Sequence, residues 1–142
     1  MTALQVRRFA ATLVVAFALG CSDSDDSGNP AGPSGSGVGD DPAITNNTDD
    51  FQFQLTNASN FSTNGGYTWR NTGATASVTN SSSISAGSAT LTIRDAGGRI
   101  VYQRSLSESG GTTESGPSGD WRIELAPSGV SGTLNFRVQR GG

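Results

Sequence analysis

The chain contains no histidine and no lysine, and it has a single cysteine, Cys21. Without histidine, neither a Ser-His-Asp nor a Cys-His catalytic arrangement can be built. Zinc or haem ligation through imidazole is excluded for the same reason. One cysteine cannot form a disulfide within the chain, so its thiol is left for some other use. All nine bases are arginines, set against twelve acids. They form no basic run of the kind that marks a nucleic-acid partner. No glycine-rich loop stands between a strand and a helix, where a phosphate would sit. Long apolar runs are also scarce, and hydrophobic residues make up only 33% of the 142.

The one uninterrupted apolar run is Phe9 to Leu19, preceded by Arg7 and Arg8 with no acid. It is short of the roughly 20 residues that span a bilayer. A charged start, a short apolar core and small residues at the exit describe a secretory signal peptide. The exit, Ala18-Leu19-Gly20-Cys21, resembles the bacterial lipobox, with Ala18 where that family usually has leucine. The resemblance implies cleavage before Cys21, a diacylglycerol on its sulfur and acylation of the new amino terminus. One acyl chain anchors a protein only marginally, and a triacylated cysteine meets the need for more. Membrane attachment through Cys21 is therefore expected, in the bacterial envelope. Ser22 at the next position favours the outer membrane by analogy with enteric bacteria.

Charge is divided along the chain. From Cys21 to Asp50 there are seven acids and no base, whereas Phe51 to Gly142 carries seven arginines against five acids. The segment 21–50 is built almost wholly of Ser, Gly, Asp, Asn, Pro and Ala. It is expected to be a disordered acidic tether, because it cannot bury enough apolar surface to offset chain entropy. Its aspartates lack the spacing and closing glutamate of an EF-hand, and acids after a lipidated cysteine resemble the surface-export signals of some bacterial lipoproteins.

From Phe51 onward the hydrophobic period becomes two. Phe51, Phe53 and Leu55 alternate with polar residues, as do Ala89, Leu91 and Ile93; Trp121, Ile123 and Leu125; and Leu134, Phe136 and Val138. Such runs predict half-buried antiparallel strands. About seven are expected, over 51–56, 66–71, 74–79, 88–95, 99–106, 119–125 and 132–139. No helical periodicity follows the signal. The expected fold of 51–142 is all-β, a two-layer antiparallel sandwich of immunoglobulin-like or fibronectin-like size, without the Cys-Trp-Cys hallmark of true immunoglobulin domains and with a small jelly roll as the alternative. Asp95-Ala96-Gly97-Gly98-Arg99 predicts a tight hairpin, and TLTIRDAGGRIVYQ resembles the D-x-x-G-x-x-V hairpin of many bacterial sandwich modules.

The expected role is that of a non-enzymatic binding or structural module on a lipid anchor, with an envelope protein or polysaccharide as partner and no cofactor or metal. Asp95, Glu108, Glu114, Asp120 and Glu124 are the only acids past Asp50. Asp95 belongs to its turn, Glu124 to a polar strand face, and Glu108 and Glu114 to a loop whose composition predicts mobility. The alternative is a carbohydrate-binding module in which exposed aromatics stack on sugar rings. Tyr67 and Trp69, sharing one strand face, are its candidate residues; the competing reading places that face, and Trp121, in the core. The sequons at Asn57, Asn60 and Asn80 read as accidents of a Ser/Asn-rich chain.

Overall fold

A computed structural model of the chain describes residues 41–142. The signal segment, Cys21 and most of the acidic stretch lie outside these residues. The described chain is all-β. Eight strands run in order: β1 (Ala43–Asn47), β2 (Asp50–Phe61), β3 (Gly65–Asn71), β4 (Ala76–Asn80), β5 (Ser83–Arg94), β6 (Ile100–Ser105), β7 (Gly111–Thr112) and β8 (Gly119–Arg140). They form one open antiparallel sheet, in which β8 is the central strand.

The alternating runs place their apolar faces as expected. Phe51, Phe53, Leu55, Leu91, Ile93, Trp121, Ile123, Leu125, Leu134, Phe136 and Val138 are all buried, and the intervening residues are exposed or half-buried except Thr92, which is covered by its neighbours. Burying each such side chain is worth roughly 1.5–3 kcal/mol.

The strand pattern differs from expectation in three places. First, the segments 119–125 and 132–139 are one strand, β8. Pro127 and two glycines read as a break, but the ladder with β5 continues through Ala89↔Pro127. On the opposite edge β3 stops at Leu125 and β2 begins at Val130. Pro127 therefore sits where one side has no strand partner, which is where a residue lacking an N–H is tolerated. Second, the acidic stretch does not remain a tether as far as Asp50. Ala43–Asn47 pairs with β2 from Ala43↔Gln54 to Asn47↔Asp50. A backbone ladder needs no hydrophobic run, so composition alone concealed this edge strand. Third, Gly111–Thr112 adds a short eighth strand against β4.

A line of irregularities crosses the middle of the sheet. β2 slips register between Leu55 and Phe61, and β5 between Ile84 and Ser88. Opposite them in β8, Gly129 and Gly132 have positive φ, as do Asn57 and Asn60 in β2 and Gly87 in β5. Bulges of this kind bend strands and increase their twist. A Cβ at Gly132 would lie 2.2 Å from the Ser83 carbonyl oxygen, and one at Gly87 2.3 Å from that of Gly129. Serines lace the crease: Ser62 Oγ accepts from Gly129 N at 2.8 Å, and Ser85 Oγ donates to the Ser131 carbonyl at 3.0 Å.

Beyond this crease β8 has different neighbours, β3 and β5 for its first half and β2 and β4 for its second. One core serves both halves. The Tyr67 ring of β3 lies 5.2 Å from Phe51 and 6.3 Å from Phe53 of β2. At one margin Asp49 N donates to the Arg70 carbonyl at 2.8 Å, tying the β1–β2 turn to β3. At the other, Glu114 N donates to the Val101 carbonyl at 2.8 Å and Thr113 N to that of Ala76 at 2.9 Å, so 111–114 runs between β6 and β4.

Candidate functional site

Trp69 and Tyr67 do not form a stacking platform. Both point inward from β3, and Trp69 is fully buried. Its indole N–H donates to the Asn47 carbonyl at 3.0 Å, and its ring meets Trp121 edge-on at 6.1 Å and 88°. Tyr67 is half-buried against the core phenylalanines. Burial raises its phenol pKa. The alternative reading, in which these two rings are exposed for sugar, is not met; the competing reading, which places this face in the core, is. A small sheet has few large side chains with which to fill its interior, and β3 contributes these two. Trp121 is also fully buried, with its N–H donated to the Pro117 carbonyl at 2.8 Å. Cys21, the expected lipidation residue, lies outside the described residues.

Four of the five acids past Asp50 are held by arginines. Asp95 is buried in its hairpin and accepts from Gly97 N at 2.9 Å and Arg99 N at 3.0 Å, as its turn requires. Glu114 takes Arg99 at 2.8 Å, and Arg99 also donates to the Ser115 carbonyl. These contacts pin the loop whose composition predicts mobility. Asp120 pairs with Arg70 at 3.3 Å. Asp49 and Asp50, counted with the tether by charge, belong to the sheet. Both Asp50 oxygens accept from Arg137 at 2.7 Å, and Asp49 accepts from Thr72 N and Oγ1 at 2.7 Å each. Among the described residues no group of three or more His, Cys, Asp or Glu could hold a metal ion.

Among the described residues, two grooves stand out on the surface. The smaller, about 250 Å³, follows the edge of β6. It holds Arg104, whose guanidinium carbon lies 5.8 Å from the Tyr102 ring centroid. The larger, about 410 Å³, opens at the start of β3 and is lined by Asn64, Gly65, Gly66, Thr92, Arg122, Glu124, Leu125 and Ala126. Its centre is an ionic cluster. Glu124 accepts from Arg122 Nε at 2.9 Å and from Arg94 Nε at 3.3 Å. Sequence reasoning placed Glu124 on a polar face but missed this groove. The available signal was the pair Gly65-Gly66 opening a strand, because two residues without side chains leave a gap in a sheet face.

No protein-family model matches the chain. No curated protein and no solved structure matches it either.

Proposed function

We propose that this is a lipid-anchored protein of the bacterial envelope whose β domain acts as a non-enzymatic binding or structural module. Export and cleavage before Cys21 would leave a triacylated cysteine in the membrane, on the outer-membrane reading of Ser22. Between Cys21 and β1 the chain can stretch roughly 75 Å, enough to hold the domain clear of the lipid. The crease is read as folding the single sheet into two facing layers, a sandwich of immunoglobulin-like size. The partner is an envelope protein or polysaccharide.

The observation that carries the module reading is the use made of the described side chains. The indoles fill the core, and four of the five acids past Asp50 are tied to arginines. That chemistry fits a presented surface better than a reaction centre. Cys21→Ser tests the anchor: the variant should lose detergent-phase partitioning and signal cleavage when expressed in a bacterial host. Unchanged processing and partitioning would contradict it.

A further inference from the structure

We propose that the groove at the start of β3 binds a carboxylate-bearing sugar, the uronate unit of an acidic polysaccharide. This deepens the module reading above and rests on it.

The groove is built from an omission. β3 begins with Gly65 and Gly66, so the outer face there is bare backbone. Across the ladder Gly66 stands opposite Glu124, Glu124 opposite Thr92, and Thr92 opposite Gln103. The next row places Thr68, Arg122 and Arg94 side by side. Arg122 leans back across the bare patch, and its Nη2 lies 2.9 Å from where a Cβ on Gly66 would be. Only glycine leaves room for that pose.

The donor set selects the ligand. Glu124 is shared by Arg94 and Arg122, so the three groups together retain one positive charge. The ion pair uses Nε of Arg122, leaving its two terminal nitrogens without a hydrogen bond among the described residues. A planar fork of this kind matches a carboxylate in bidentate fashion. Around it stand the Asn64 amide, the Thr92 hydroxyl and the Glu124 carboxylate, which mix donors and acceptors. Ring hydroxyls need both. Ala126, exposed on the outer face, and the glycine floor supply an apolar surface for the C–H face of a pyranose. The volume of about 410 Å³ lies within the range of small-molecule clefts. A peptide carboxylate shares the bidentate chemistry, but this lining offers it no apolar pocket for a side chain.

The test is calorimetric titration of the full chain in detergent with a galacturonate trimer. The neutral galactose trimer and free acetate serve as comparison ligands. The uronide should bind at least tenfold more tightly than either. Arg122→Gln should weaken it by roughly tenfold to a hundredfold, the range for a lost charged hydrogen bond. Gly66→Ala should weaken it too, because the new methyl displaces only the end of a flexible side chain and leaves the fold intact. Arg70→Gln, on the same face but outside the groove, should bind as the parent does. The proposal is overturned if the uronide does not bind, or if the neutral trimer or acetate binds equally well. Equal loss in Arg70→Gln and Arg122→Gln would overturn it as well. Partitioning of Cys21→Ser is read separately, so the anchor and the groove can fail independently.

Discussion

The two halves of β8 are built on the same alternation but for different surroundings. Gly119 to Leu125 runs between β3 and β5, packs both tryptophans beneath it, and carries the Arg94–Glu124–Arg122 cluster above. Leu134 to Arg140 runs between β2 and β4 and packs Phe136 between Phe51 and Phe53, with ring centroids at 6.0 and 5.3 Å. Above it, Arg137 meets Asp50, and Asn135 N donates to Ser82 Oγ at 2.9 Å. The difference lies on the outer face. The second half keeps Arg137 and Gln139 exposed, with Arg137 held across the ladder by Asp50, whereas the first borders two glycines and an open groove. Inward alternation is set by the need for a core, and it holds throughout. Outward chemistry is free to vary, and there the halves diverge.

The sharpest way to break this comparison is to damage one half and watch the other. Phe136→Ala should cost about 3–5 kcal/mol, as for a core aromatic. Both tryptophans of the chain report on the opposite half. Because Tyr67 joins the two through Phe51 and Phe53, fluorescence and far-ultraviolet circular dichroism should still melt with one midpoint. Separate midpoints would show that the crease divides the sheet into independent units. Trp69→Ala should cost a similar amount, and a folded variant with undiminished stability would contradict the buried pose.

The crease itself comes next. Gly132→Ala forces a side chain onto a φ of 126° and against the Ser83 carbonyl oxygen. A loss of at least about 1–3 kcal/mol in denaturant titration is expected. Gly73→Ala supplies a contrast away from the crease, since its Cβ would meet only the flexible stem of Arg140 and the Asn71 side chain. Equal costs at the two positions would remove the special role of the crease.

These contrasts mark what could be read from residues alone. The burial of Phe51, Leu91, Trp121 and Phe136 follows from period two, and the Asp95 hairpin from its turn chemistry. The continuity of β8 does not, because Pro127 and Gly129 are breakers except where a partner strand is missing or a bulge is wanted. β1 was hidden because its pairing depends on the edge that β2 offers it. Period two places Trp69 and Tyr67 on one face, and the ladder with β8 makes that face the core, as the core reading of the pair expects. The groove depends on Arg122 folding over Gly66, a contact across strands distant in sequence.

Smaller effects belong to the surface. Arg137→Ala should cost little, because an exposed ion pair is screened by solvent. Chemical denaturation checks this, and a loss as large as that of Phe136→Ala would mean that Asp50 is more than a surface partner. The smallest effect is a pH dependence. Hydrogen bonds from Thr72, the backbone N–H first, hold the Asp49 carboxyl below its ordinary value of 3.8. The stability this contributes is complete above that value and is lost as pH falls through the lowered folded value. Asp49→Asn should therefore flatten the acid limb of the stability curve below about pH 4. Identical acid limbs in parent and variant would contradict the assignment.

Anchoring depends on where the mature chain begins and what it carries. Intact mass measurement of protein recovered from a bacterial envelope tests this directly. The predicted result is a chain starting at Cys21 with a diacylglycerol on its sulfur and an acyl group on its amino terminus. A mature chain that starts elsewhere, or that keeps Cys21 as a free thiol, would contradict it.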